Sequence, residues 1–197
     1  MALQRPEIIK KESIDIPKAA VEKADEKILE QLTQKGVVIL PVAQNSNYLM
    51  ATFEQDTLIG KNDMELLLKL KKQLIWLKLN NATIEKDAFQ VLPKLSNVTR
   101  LNLSNTNVTD KEVEQLQSVD SLHYLNLVGT KVTINGILLL KKLKSLQSLY
   151  LYQTGIARED FKTLKLSFPK TQIDSGNYFI PILASDTTEV KAPTAKK

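Results

Sequence analysis

Apolar residues in this chain keep two periods in strict alternation. From Leu74, Val98, Leu122 and Leu146 the sequence runs L-x-x-L-x-L-x-x-T-x-[VI], and these starting points are spaced by 24 residues. The Leu-x-Leu pair at period two predicts a short strand with one buried face. The Val or Ile after the Thr position points back inward. A helical stretch follows, with inner positions Phe89 and Leu92, Val113 and Leu116, Ile137 and Leu140, or Phe161 and Leu164. The Thr position is held by Ala82, Thr106, Thr130 and Thr154. Thr109 and Glu112 have the spacing of a helix capping box and mark one helix start. A single unit of this kind cannot bury its own apolar face, so the units must stack and share a core.

The ends depart from the frame, as terminal units of a stacked array do. Residues 18–36 read as an amphipathic capping helix, with Ala20, Val21, Ala24, Ile28, Leu29 and Leu32 in one stripe and Gly36 as its stop. Val37-Val-Ile-Leu40 reads as a first strand, Leu49, Ala51 and Phe53 as an alternating second, and Met64–Leu70 as the helix of an irregular opening repeat. Ile173 falls 24 residues after Leu149 and echoes the frame once more. The expected organisation is a tail over 1–17, the capping helix over 18–36, a solenoid over 37–182 and a second tail over 183–197.

The frame resembles the leucine-rich repeat, in the bacterial form that carries Thr where other forms carry Asn. The resemblance implies an α/β fold: a short right-handed horseshoe with parallel strands on the concave face and helices on the convex face. Three stretches, Gly36–Glu54, Lys72–Asn80 and Leu146–Ala157, are similar to the C-terminal repeat region of a family of Bacteroidetes and Planctomycetes membrane proteins that carry a cytochrome-c-like domain. That resemblance implies a periplasmic or cell-envelope location within a membrane-anchored parent, whose other domains are candidate partners. It carries no catalytic residue over, because the chain has no Cys-x-x-Cys-His motif.

Composition narrows the chemistry. Among 197 residues there is no cysteine and one histidine, His123. Disulfides, thiol catalysis, cysteine-held metal and multi-histidine metal sites are excluded, and no cofactor is expected. His123, at a strand entry, reads as a hydrogen-bonded loop or surface residue. The longest near-continuous apolar run, Gly36–Ala43, falls far short of the about 20 residues that cross a bilayer, so no insertion by this chain is expected. Net charge is +5, yet residues 1–36 are balanced, with seven basic and seven acidic side chains. The surplus lies in lysine clusters near predicted helix ends, where cations complement the helix dipole. No aromatics interleave with them, which argues against a nucleic-acid partner. Carboxylate pairs such as Glu159-Asp160 sit at helix starts and do not have to converge, so no enzyme is expected. The N-x-[ST] sequences at Asn81, Asn97, Asn102 and Asn107 belong to the turn grammar of the repeat.

Residues that flank the buried leucines face outward from the sheet. They are Met50, Thr52 and Glu54; Trp76, Lys78 and Asn80; Arg100, Asn102 and Ser104; Tyr124, Asn126 and Val128; and Ser148, Tyr150 and Tyr152. The only tryptophan and three of five tyrosines fall in this set. Solvent-facing strand positions do not need such side chains for packing, and Trp, Tyr and Arg dominate binding hot spots. Cross-strand pairing offers another use for the aromatics. The candidate binding residues are therefore Trp76, Lys78, Asn80, Arg100, Asn102, Tyr124, Asn126, Tyr150 and Tyr152. They would dock a protein or glycan partner, with aromatic area and asparagine hydrogen bonds. The alternative is a structural spacer that packs on the redox and membrane parts of a parent chain.

Overall fold

The computed structural model describes residues 15–176. Most of the tail read at 1–17, all of that at 183–197 and the end of the stretch read as solenoid lie outside these residues.

Among the described residues, a seven-stranded sheet runs the length of the array. Its members are β1 (Val37–Pro41), β2 (Leu49–Phe53), β4 (Leu74–Lys78), β6 (Arg100–Asn102), β7 (Tyr124–Asn126), β8 (Ser148–Tyr150) and β9 (Gln172–Asp174). β1 pairs antiparallel with β2, and every later pair is parallel. The strands are short because only one Leu-x-Leu pair per repeat has a core to enter. Leu77, Leu101, Leu125 and Leu149 are direct partners across neighbouring strands, all fully or almost fully buried. A separate two-stranded parallel ribbon is formed by β3 (Leu58–Ile59) and β5 (Thr83–Ile84).

The opposite side carries α2 (Lys61–Leu68), α3 (Lys86–Phe89), α4 (Asp110–Gln115), α5 (Ile134–Leu139) and α6 (Asp160–Ser167). α3, α4 and α5 each run on into a tight 3₁₀ turn. Phe89, Leu92, Val113, Leu116, Ile137, Leu140 and Leu164 are buried as their spacing predicts, and Phe161 packs at the edge of the core. The Thr109–Glu112 capping box forms, with the Thr109 amide donating to Glu112 Oε2 at 2.9 Å. The sheet on one side, helices on the other and the shared core between them make an α/β leucine-rich repeat solenoid.

Turns repeat with the same 24-residue period. Asn81, Asn105, Gly129 and Gln153 all have positive φ, at 54°, 54°, 69° and 53°. The next residue in three of these turns is the frame threonine. Thr106, Thr130 and Thr154 donate their hydroxyls to the carbonyls of Leu103, Leu127 and Leu151, at 2.7, 2.7 and 2.8 Å. The threonine is therefore a turn lock: its hydroxyl satisfies a carbonyl that the chain reversal leaves without a ladder partner. Asn107 also serves the fold, since its side-chain amide bonds both the N–H and the C=O of Ile84 in the preceding repeat.

The N-terminal cap corrects the sequence expectation. Helix α1 covers only Glu26–Gln34, capped by the Asp25 carboxylate, which accepts from the Lys27 amide at 2.9 Å. The residues expected to form its first two turns run without helix. Their carbonyls accept from side chains of the solenoid instead: Tyr48 Oη donates to Ala19 at 2.9 Å, Asn47 Nδ2 to Val21 at 2.8 Å and Gln73 Nε2 to Glu22 at 3.1 Å. These bonds hold the segment along the strand starts in a non-helical path. Leu32 is fully buried and Ala24, Ile28 and Leu29 pack against the core, but Ala20 is exposed.

Candidate binding face

The parallel register aligns the outward side chains into two rows across the sheet. One row is Leu40, Met50, Trp76, Arg100, Tyr124, Ser148 and Gln172. The other is Val38, Thr52, Lys78, Asn102, Asn126, Tyr150 and Asp174. Side chains in register on one sheet face stand close enough to interact. The face is therefore graded: apolar at the β1–β2 end, cationic and aromatic at the centre, polar toward β9.

The centre is a packed group. The Arg100 guanidinium lies over the Trp76 ring, 4.6 Å from its centroid, and 5.9 Å from that of Tyr124. Tyr124 and Tyr150 meet with ring centroids 4.9 Å apart and planes tilted by 41°. All four side chains are half-buried. Burial, the neighbouring Tyr150 and the more distant Asp174 push the Tyr124 hydroxyl above its ordinary pKa, while a hydrogen bond with the Asn126 side chain and the Arg100 charge pull the other way. Met50, Trp76, Leu77, Lys78, Arg100, Asn102 and Tyr124 enclose a depression of about 420 Å³. The indole N–H of Trp76 is buried and has no acceptor among the described residues.

Seven of the nine sequence-predicted residues, Trp76, Lys78, Arg100, Asn102, Tyr124, Asn126 and Tyr150, thus converge on this depression or on the rings beside it. The asparagines are less free than expected. Asn102 Oδ1 accepts from the Ser104 amide and Asn126 Oδ1 from the Val128 amide, each at 3.0 Å, so both close the turn after their strands. Asn80 lies past the end of β4 and Tyr152 past the end of β8. Tyr152 is 46% exposed and lies against Gly176, apart from the paired rings. His123 also departs from expectation: it is half-buried, and its Nδ1 is enclosed without a hydrogen-bond partner among the described residues.

Arg100 carries the largest difference. Its guanidinium is bound by the carboxylate of Asp15, through Nε and Nη2 to the same oxygen. The Asp15 carbonyl in turn accepts from the Thr99 hydroxyl at 2.9 Å. No local pattern marks Asp15, because it reaches its partner across 85 residues of chain. Val38 and Leu40 are also additions to the face, at 50% and 48% exposure. Their stretch is apolar at every position, so no alternation shows which side chains turn outward.

Among the described residues no cluster of His, Cys, Asp and Glu could hold a metal, and no helix is long and apolar enough to cross a membrane. No family model matches the chain, and no curated protein matches it. Solved structures do resemble it. An internalin from Listeria monocytogenes aligns with 22% identity over 58% of this chain and 32% of its own, with a TM-score of 0.46. A leucine-rich repeat protein of Leptospira interrogans aligns with 20% identity over 56% of this chain and 33% of its own, with a TM-score of 0.41. The leucine-rich repeat ectodomain of an Arabidopsis thaliana receptor kinase aligns with 17% identity over 80% of this chain and 96% of its own, with a TM-score of 0.45. The chain spans about a third of the length of the two bacterial proteins.

Proposed function

We propose that this chain is a protein-binding module that docks its partner on the outer face of the sheet. The observation that carries the reading is the group of Trp76, Arg100, Tyr124 and Tyr150, stacked on one another beside an open depression. Rings and a guanidinium already packed on their neighbours have less conformational freedom to lose on binding, so less of the contact energy is spent on ordering them. No step of catalysis is needed. The three stretches that resemble the C-terminal repeats of cytochrome-c-domain membrane proteins support a place in the envelope of a bacterium, as one domain of a membrane-anchored parent.

A second reading has its own observation. Val38 and Leu40 leave the β1 edge apolar and half exposed, and an exposed apolar strand edge suits packing against another domain of the same parent chain. The array would then be a spacer in a haem-containing membrane protein.

The test is affinity capture from envelope extracts of source cells with three proteins: the wild type, the Trp76→Ala/Tyr124→Ala double variant, and a Lys141→Glu/Lys142→Glu control on the helix side. One protein retained by wild type and control but lost by a folded double variant is the expected result. Retention by the double variant at full affinity overturns the reading. Capture of a haem-staining membrane protein that a Val38→Ser/Leu40→Ser variant loses would establish the second.

A further inference from the structure

The Asp15–Arg100 pair has no counterpart in the repeat frame. The positions equivalent to Arg100 hold Trp76, Tyr124 and Ser148, none of which carries a charge. A solenoid of these repeats therefore does not require a cation there, nor a carboxylate brought from outside the array to balance it. Yet Asp15 is only 9% exposed, and its side chain is seated on a guanidinium that Trp76 and Tyr124 flank. Lys78 stands in the neighbouring row and lines the same depression. The Arg100 side chain is 39% exposed and that of Asp15 12%, so the guanidinium gains from a carboxylate partner but does not depend on this one.

Resting on the reading of this face as a docking surface, we infer that its partner is an acidic segment of another protein, and that Asp15 is a tethered competitor for that partner. The partner's Asp or Glu carboxylate takes Arg100, with Lys78 adding to the field. An apolar side chain beside it enters the Leu40–Met50–Trp76 end of the row. Charge complementarity names the first group and the graded face names the second. Asp15 shows the chemistry of the occupant. It belongs to the extended segment held to the strand ends by Thr99, Gln73, Asn47 and Tyr48. Those bonds all run to backbone carbonyls, so the carboxylate can leave Arg100 while the segment stays in place. A tethered competitor lowers the apparent affinity by the fraction of molecules in which the site is open.

The test uses the full chain and a set of immobilised octapeptides, each with a central Asp beside Leu, paired with the same peptides carrying Asn in place of Asp. Asp15→Ala and the shape-preserving Asp15→Asn should raise retention on the Asp peptides about tenfold and leave the Asn peptides unchanged. Arg100→Gln should erase the preference in every background. Equal gains on both peptide sets overturn the inference, as does no retention by any variant. So does a lower unfolding midpoint in Asp15→Asn without a gain in binding, which would make the pair purely structural. Loss of the Asp preference while capture still depends on Trp76 and Tyr124 removes the acidic ligand but leaves the docking face standing. Capture that survives the Trp76→Ala/Tyr124→Ala variant removes the face itself.

Discussion

Asp110, in the first turn of α4, grips Thr133, the cap of α5 in the next repeat. Its carboxylate accepts from the Thr133 amide at 2.7 Å and from the Thr133 hydroxyl at 2.6 Å. One side chain thus satisfies an N–H that the neighbouring helix start leaves open and ties two repeats together. Gly136 leaves room for it, since a Cβ there would lie 2.3 Å from Asp110 Oδ1 and 3.0 Å from Asp110 Cα. Asp110→Ala should cost about 1–3 kcal/mol, the range for leaving a partly buried donor unmade. Gly136→Ala should also destabilise, although alanine is the better helix former by about 1 kcal/mol. The two changes should be non-additive, because removing the carboxylate relieves much of the clash. Urea midpoints of the two single variants and the double variant measure the coupling; full additivity would separate Gly136 from Asp110.

The left-handed turn position makes a second prediction. Asn and Gly tolerate that conformation, and they hold it at Asn81, Asn105 and Gly129. Gln153 adopts it at φ 53° without either advantage, in an exposed position. Gln153→Asn should therefore stabilise the chain by about 0.5 kcal/mol or more. Gly129→Ala should do the reverse, because its φ is 69° and its Cβ would lie 2.0 Å from Asn105 Oδ1. Thermal unfolding of both variants reads the opposite signs, and a stabilised Gly129→Ala would contradict the account.

Tyr124 makes the third. Burial and Tyr150 raise its folded-state pKa above 10.0. The folded protein then holds a proton that the unfolded chain has released, so unfolding is favoured as pH rises. This contribution is complete below the unfolded value of 10.0 and is lost as pH climbs from there through the higher folded value. Tyr124→Phe should lose less stability than the wild type between neutral pH and that alkaline window. Parallel curves for the two proteins would show that the Tyr124 hydroxyl does not titrate late.

How much of this was legible beforehand differs by element. Leu77, Leu101, Leu125 and Leu149 could be placed on the inner face from spacing alone, because a period of two within a period of 24 leaves one way to bury them. The same register put Trp76, Arg100 and Tyr124 side by side on the outer face. The length of α1 could not be read in this way. Its apolar stripe over Ala20 to Leu32 is genuine, but Tyr48, Asn47 and Gln73 compete for the backbone of the first part and win.

The repeat, the strand and helix within it, and the side of each repeat strand that meets solvent follow from local periodicity that every repeat restates. The tertiary structure decided what the outer face presents. It paired β1 antiparallel with β2 and so turned Val38 and Leu40 outward. It also laid the N-terminal segment across the strand ends, bringing Asp15 onto Arg100. The first joins two segments that precede the regular frame, and the second joins one such segment to a repeat. No periodicity encodes such a contact, because it forms once and no repeated spacing sets its partners.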